Sequence, residues 1–299
     1  MTNKSGVVIL NKEENMTSQT AVNKVKRLFG AQKAGHTGTL DPMATGVLPV
    51  LINRGVKAGE YMLSSEKHYL AECLLGITTD TEDISGSVLS ESHERPSEEE
   101  FYAVCESFKG EIMQIPPMYS AIRINGTRLM ELARKGETVE REPRAITVHS
   151  LNAKKLDENR YSLNIECSKG TYIRTICADI GKALGCGAVM SALCRLEAGG
   201  FTLDQAHTLS QIENMSEDER EALIIPTEKI FEKYERVNLP EFYAALAHNG
   251  ASIYQRKIRT DFPLGSFLRL YDKDGFFALG EVVLKDGETV IKPQKQFVL

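Results

Sequence analysis

The segment Gly35-His-Thr-Gly-Thr-Leu-Asp-Pro-Met-Ala-Thr-Gly-Val-Leu-Pro49 sets one acid, Asp41, among three glycines and two prolines. That density of backbone-shaping residues marks a fixed, closely approached loop, not a regular element. Asp41 precedes a proline and is therefore biased to an extended backbone. A carboxylate held this way can serve as nucleophile or general base. It can equally close an Asx-type turn on its own backbone. The local pattern leaves both open, and leaves His36 as either a working or an ordinary surface imidazole. Other chemistries lack their residues. The six cysteines, Cys73, Cys105, Cys167, Cys177, Cys186 and Cys194, form no Cys-x-x-Cys pair and read as buried free thiols. There is no His-Glu-x-x-His, no Walker loop and no Gly-x-Gly-x-x-Gly. The chemistry is expected to run on side chains alone, with no metal and no cofactor.

The elements that must carry this loop are partly legible. Thr17 or Ser18 can cap a helix whose Ala21, Val22, Val25, Leu28 and Phe29 face a core and which Gly30 ends. Its outer face holds Lys24, Lys26 and Arg27, with Lys33 beyond. Capping boxes at Ser97/Glu100 and Ser216/Glu219 open two acidic amphipathic helices. Alternation in Tyr161-x-Leu163-x-Ile165-x-Cys167 predicts a strand, the run from Ala145 to Leu151 another, and Thr171 to Leu184 a helix closed by Gly185. After Arg236-Val-Asn-Leu-Pro240 the pattern changes to short strands, Phe267 to Tyr271 and Phe276 to Val283, with turns at Asp272-Lys-Asp-Gly275 and Lys285-Asp-Gly287. A mixed α and β body over residues 1–235 followed by a small all-β module over 236–299 is the expected organisation.

The chain has 299 residues, 42% apolar and 26% charged, which excludes fibrous, low-complexity and wholly disordered classes. No run approaches the roughly 20 apolar residues that span a bilayer. The amino terminus, Met1 to Gly6 and then Val7 to Leu10, reads as no secretory signal, so a cytoplasmic protein is expected. A net charge of −5 would argue against a nucleic-acid partner. Its distribution argues otherwise. Residues 61–110 hold 3 basic and 11 acidic side chains and residues 200–240 hold 4 and 9. Residues 1–60 hold 8 and 4, 111–199 hold 13 and 10, and 241–299 hold 8 and 7. The acid is concentrated in solvated helical stretches, and the basic excess is left to the remaining segments.

Five ordered blocks carry a family resemblance. The Asp41 segment resembles the His-x-Gly-x-Leu-Asp-Pro-x-Ala-x-Gly-x-Leu motif of the bacterial tRNA pseudouridine-55 synthases of the TruB type. Tyr69-x-Ala-x-x-x-x-Gly76-x-x-Thr-Asp80 resembles that family's tyrosine segment. Gln114-Ile-Pro-Pro-Met-Tyr-Ser-Ala121, with Gly126, Arg128 and Ala133-Arg134-x-Gly136, resembles its RNA-contacting insertion. Ser168-Lys-Gly-Thr-Tyr-Ile-Arg-Thr175 and Leu193-x-Arg195-Leu196 resemble its arginine and leucine segments. The carboxy-terminal module is similar, more loosely, to the family's PUA-like domain. Departures lie at Lys12-Glu-Glu-Asn-Met-Thr-Ser18, where the family shows Lys-Pro-x-Gly-x-Thr-Ser, at Asn53-Arg-Gly-Val-Lys57 for Gly-Glu-Ala-Thr-Lys, and at Arg123 for the lysine of Tyr-Ser-Ala-x-Lys.

The resemblance implies an α+β fold, with a mixed, largely antiparallel sheet, flanking helices and an RNA-binding insertion at about 115–144. It implies a cofactor-independent isomerase of uridine in the tRNA T arm, working without an obligate protein partner and as a monomer. Asp41 would act on the nucleotide, and Arg174 would hold that carboxylate ionised. Tyr69 would stack on the uracil and help move the C5 proton, with Tyr172 positioning the site and Leu196 walling it. A uridine stacked in the T arm must be flipped out, and His36 would fill the vacated place. Lys12, Arg123, Arg128 and Arg134 would contact RNA, the last three from a mobile lid. Two other readings are a tRNA-folding protein whose catalysis is incidental, against which Asp41, Tyr69 and Arg174 stand, and a guide-RNA-dependent synthase, whose lysine-rich tails are missing from this sequence.

Overall fold

The computed structural model describes residues 4–62 and 66–298. Residues 1–3, at the start of the stretch considered for a targeting signal, lie outside the described residues. A ten-stranded sheet forms the body. Its main path runs Ile225–Pro226, Gly6–Lys12, Thr45–Ile52, Ala188–Ala198, Lys67–Leu75, Arg160–Cys167, Arg144–Lys155 and Gly110–Gln114. Ala34–His36 and Phe201–Thr202 pair off this path, the first against Thr45–Ile52 and the second against Ala188–Ala198. Pairing is antiparallel except where Cys194 and Arg195 run parallel to Thr45 and Gly46. The sheet is therefore mixed and largely antiparallel, as expected.

The central strands read as unbroken apolar runs because both faces are covered. Val8, Leu10, Leu48, Val50 and Ile52 enter the main core, whereas Val7, Ile9, Val47 and Leu51 enter a second cluster on the other face. The alternating strand at Arg160–Cys167 buries Tyr161, Leu163, Ile165 and Cys167 on one face only. Helix Ser18–Leu28 covers the main core with Ala21, Val22 and Val25, and Thr17 caps it by accepting from the Thr20 N–H at 3.1 Å. Gly30, at φ +57°, ends it. Helix Ile173–Ala183 packs against Ala188–Ala198 and Lys67–Leu75. Both expected capping boxes form, at Ser97 and Ser216. Five of the cysteines are buried and Cys194 is half-buried, all as free thiols.

A five-stranded sheet follows, in the order Glu235–Asn238, Phe267–Asp272, Gly275–Lys285, Glu288–Gln296 and Ile253–Tyr254. The Lys285-Asp-Gly287 turn takes positive φ at Asp286 (+51°) and Gly287 (+80°), the twist a two-residue hairpin favours. Two short helices, Glu241–His248 and Gln255–Ile258, accompany this sheet. It meets the body through Ala58, Phe231, Leu279 and Phe297. Among the described residues no helix is long and apolar enough to cross a membrane.

Candidate active site

The Asp41 loop leaves strand Ala34–His36 and re-enters the sheet at Thr45, so both ends are anchored in the same pair of strands. Lys12 and Ser18 pin its middle. The Ser18 hydroxyl donates to the Leu40 carbonyl at 3.0 Å and accepts from the Leu40 N–H at 2.8 Å. Lys12 is fully buried, and its ammonium donates to the carbonyls of Glu13, Met16 and Pro42 at 2.9, 2.9 and 3.1 Å. With three protons committed to three carbonyls, Lys12 has nothing left for a phosphate. The expected RNA contact is therefore corrected to a role in holding the loop beside Asp41. Burial pushes its pKa down to about 8, against the pull of Asp41 and Glu14. In the turn after Lys12, Asn15 takes φ +60°, and Asn53 takes +51° in the other departing segment. Asparagine adopts this left-handed backbone more readily than most residues, and Asn15 does so at the position where the motif has glycine.

Arg174 sits in the first turn of helix Ile173–Ala183, where the helix dipole disfavours a cation. Two carboxylates offset this. Arg174 Nε lies 2.9 Å from Asp41 Oδ2, and its Nη1 lies 3.7 Å from Asp83 Oδ2. The guanidinium also donates to the carbonyls of Thr81 at 3.0 Å and Tyr119 at 2.9 Å. The Arg174 side chain is 6% exposed and that of Asp41 32%, so the cation is locked while the carboxylate still opens to solvent. Burial raises the Asp41 pKa above the usual carboxylate range. Arg174 opposes the shift, and the nearby Asp83 adds to it. The ion pair forms as expected, but burial, with the Asp83 charge adding to it, leaves Asp41 more basic than an ordinary carboxylate. A raised pKa makes the ionised group a stronger base.

Tyr69 is buried on strand Lys67–Leu75, directly opposite Arg195 and Ile165. Burial raises its phenol pKa while the Arg195 charge opposes the shift. A β-bulge leaves the half-buried Leu196 unpaired between the Arg195–Tyr69 and Glu197–His68 pairs. His36 ends its strand, with Nδ1 accepting from the Gly38 N–H at 3.3 Å. Burial and the Arg195 charge lower its pKa, which favours the neutral ring. Tyr172 caps helix Ile173–Ala183 through its backbone, clamped by Gln114, whose side chain accepts from the Tyr172 N–H at 2.9 Å and donates to its carbonyl at 3.0 Å.

Asp41 thus pairs with Arg174 and its charge reaches Tyr69 and Tyr172, while Arg195 bears on both Tyr69 and His36, and Leu196 follows Arg195 on its strand. Arg123, Arg128 and Arg134 stand apart on the insertion, all three exposed. Arg123 and Arg128 flank the Asn125-Gly126 turn of a small hairpin, Arg123–Ile124 with Thr127–Arg128, followed by helix Leu129–Ala133. Arg123 donates to the Gly126 carbonyl at 2.7 Å, and Arg128 lies 3.9 Å from Glu131. Three residues of the site escaped sequence reasoning. Gln114 and Arg195 lie within blocks quoted for other residues, and Asp83 carries no local signal.

Residues 26–173 match the amino-terminal domain described as TruB family pseudouridylate synthase, and residues 174–232 match the tRNA pseudouridylate synthase B C-terminal domain. A Clostridium tetani protein named tRNA pseudouridine synthase B is 41% identical over 289 residues, 96% of this chain and 99% of that one. The chain belongs to the TruB family of pseudouridylate synthases. A Francisella tularensis subsp. novicida protein of the same name is 41% identical over 282 residues, 93% of this chain and 91% of that one. Among solved structures, the TruB-family fold is shared with a chain from a Cbf5-Nop10-Gar1 complex, with a TM-score of 0.74 and 25% identity over 98% of this chain and 85% of that one. As a TruB-family member the chain is an isomerase, and its Asp41 carboxylate, paired with the Arg174 guanidinium, lies near enough to the Tyr69 phenol for its charge to be felt there.

Proposed function

We propose that this chain converts uridine 55 of the tRNA T loop to pseudouridine, with Asp41 as the group that acts on the flipped nucleotide. The observation that carries this reading is the 2.9 Å contact of a locked Arg174 with an accessible Asp41, in the same site as Tyr69. The relatives named tRNA pseudouridine synthase B support tRNA as the substrate. The reaction breaks the bond from C1′ to N1, turns the base and joins C1′ to C5. N1 gains a proton and C5 loses one, so no oxidant, reductant or energy source is consumed. Asp41, kept ionised by Arg174 and made more basic by its burial, supplies the nucleophile or base. Tyr69 stacks on the uracil and Leu196 walls it, while Tyr172 orients the helix that bears Arg174. Neutral His36 enters the stack that the uridine leaves, offsetting part of the few kcal/mol of unstacking. Arg123, Arg128 and Arg134 meet phosphates from a lid over the stem.

The catalytic unit spans residues 1–235 and a PUA-like unit 236–299. The enzyme works in the cytoplasm as a monomer without a protein partner. The test is Asp41→Asn with unmodified tRNA, reading pseudouridine by chemical mapping and binding by filter retention. Turnover should fall by at least about a thousandfold while tRNA still binds. Retained turnover would remove Asp41 from the chemistry. Wild-type protein that binds tRNA and forms no pseudouridine would favour a tRNA-folding protein instead.

A further inference from the structure

Arg195 is the bulkiest of the fully buried side chains, and none of the roles assigned to the site uses it. Its Nε donates to the Val47 carbonyl at 2.8 Å and an Nη to the Gly38 carbonyl at 3.1 Å. One guanidinium therefore grips the Asp41 loop on both limbs, before and after the acid. Its backbone pairs with Gly46 on one side and with Tyr69 on the other. A Cβ at Gly46, which sits at φ +99°, would collide with the Arg195 backbone. At Gly38, at φ +127°, a Cβ would stand 3.5 Å from Arg195 Nη1. Close approach of the Arg195 backbone thus explains Gly46, whereas Gly38, where that contact is an ordinary one, is required by its positive φ. Its charge also bears on Tyr69, His36, Lys12 and Lys67. A buried cation satisfied by carbonyls is costly to keep. A methionine would fill a similar volume without that cost, so the charge calls for a use.

We propose that Arg195 is the positioning residue that fixes the Asp41 loop against Tyr69, setting the separation of carboxylate and phenol on the two sides of the flipped uracil. This rests on the roles proposed for Asp41 and Tyr69. Lys12 holds the loop through Pro42 only, whereas Arg195 ties it to the strand that bears the second reacting group. Displacing reacting groups by about 1 Å can cost on the order of a hundredfold in rate.

The test compares Arg195→Met and Arg195→Lys by single-turnover pseudouridine formation, by tRNA affinity, and by a double-mutant cycle with Tyr69→Phe. Arg195→Met should slow the chemical step about a hundredfold with tRNA affinity changed less than about threefold, and the lysine should recover part of the loss. In the Tyr69→Phe background the same substitution should cost clearly less, because one of the two groups it aligns is already impaired. Equal costs in both backgrounds, or loss explained wholly by a smaller folded fraction in thermal melts, would overturn the proposal. If the methionine variant does not fold, Arg195→Lys, which keeps charge and loses the planar fork, enters the same cycle, where unequal costs support the proposal and equal costs overturn it. Full activity of both Arg195 variants with Asp41→Asn inactive would sink this inference alone. An active Asp41→Asn would instead remove the reading on which it rests.

Discussion

Asp41, Arg174 and Tyr69 lie in separate blocks of sequence, and each was legible because its neighbours repeat a family pattern. Asp83 and Arg195 were not, since their importance comes from what tertiary pairing brings to them: Arg174 at 3.7 Å for one, two loop carbonyls for the other. Lys12 was legible as a cation but not as a buried one, because only folding reveals that three carbonyls converge on it. Its depressed pKa has a defined sign. Between about 8 and the ordinary 10.5 the unfolded chain holds a proton that the native state has released, so stability rises with pH across that window. Function runs the other way. Loss of the proton frees a carbonyl from the loop, so turnover should decline above about pH 8, and Lys12→Met should lower the rate while abolishing that alkaline limb in a single-turnover pH profile. Asp41 has a raised pKa, so the native state favours its protonated form and ionisation weakens the fold as pH rises through a window above 3.8. The role proposed for Asp41 needs the ionised form, so activity should fail on acidification above the ordinary carboxylate range. Asp41→Asn should melt slightly higher than wild type at neutral pH while being inactive.

Elements announced by caps and periodicity were readable: Thr17, Ser97 and Ser216 all cap the helices they were expected to open. Strand Ala188–Ala198 was not. It mixes Ser191, Arg195 and Glu197 with apolar residues and bulges twice, so no period of two survives in the sequence. The two-residue strands around Asn125-Gly126 are also too short to show a pattern, although that dipeptide is a strong turn signal. Caps and glycines separate stability from function. Ser97→Ala should lower stability by about 1 kcal/mol in urea melts, with turnover per folded molecule unchanged, because its helix carries no residue of the site and packs on the core, as in the stack of Phe101 on Tyr161 at 3.6 Å. Gly46→Ala should cost ~2 kcal/mol or more from the collision and the positive φ, and turnover should be lost as well, since the strand edge it displaces carries Arg195.

Across the whole molecule, the net charge of −5 would suggest a poor ligand for RNA. The structure gives that figure a place. The acidic helices Glu98–Ser107 and Glu217–Ala222 expose Glu99, Glu100, Glu217, Asp218 and Glu219 in their first turns, whereas Arg123, Arg128 and Arg134 are exposed on the insertion. Attraction is therefore local, and unrelated RNA should be retained weakly at moderate salt. For tRNA, each of Arg123→Ala, Arg128→Ala and Arg134→Ala that removes one phosphate contact should reduce the slope of log affinity against log salt by about 1.

The parallel seam between Thr45–Gly46 and Cys194–Arg195 joins residues far apart along the chain, and the Asp41–Arg174 pair is also long-range. The Asp41 carboxylate is synthesised early, yet Arg174 and Arg195, which hold it and its loop, arrive only when most of the body has been made. Contacts of such high sequence separation form late and slowly. A nascent or half-folded chain thus displays the acid without its alignment and has no reactive centre to turn on passing RNA. Recovery of activity on refolding should follow the slowest structural phase and show no earlier burst.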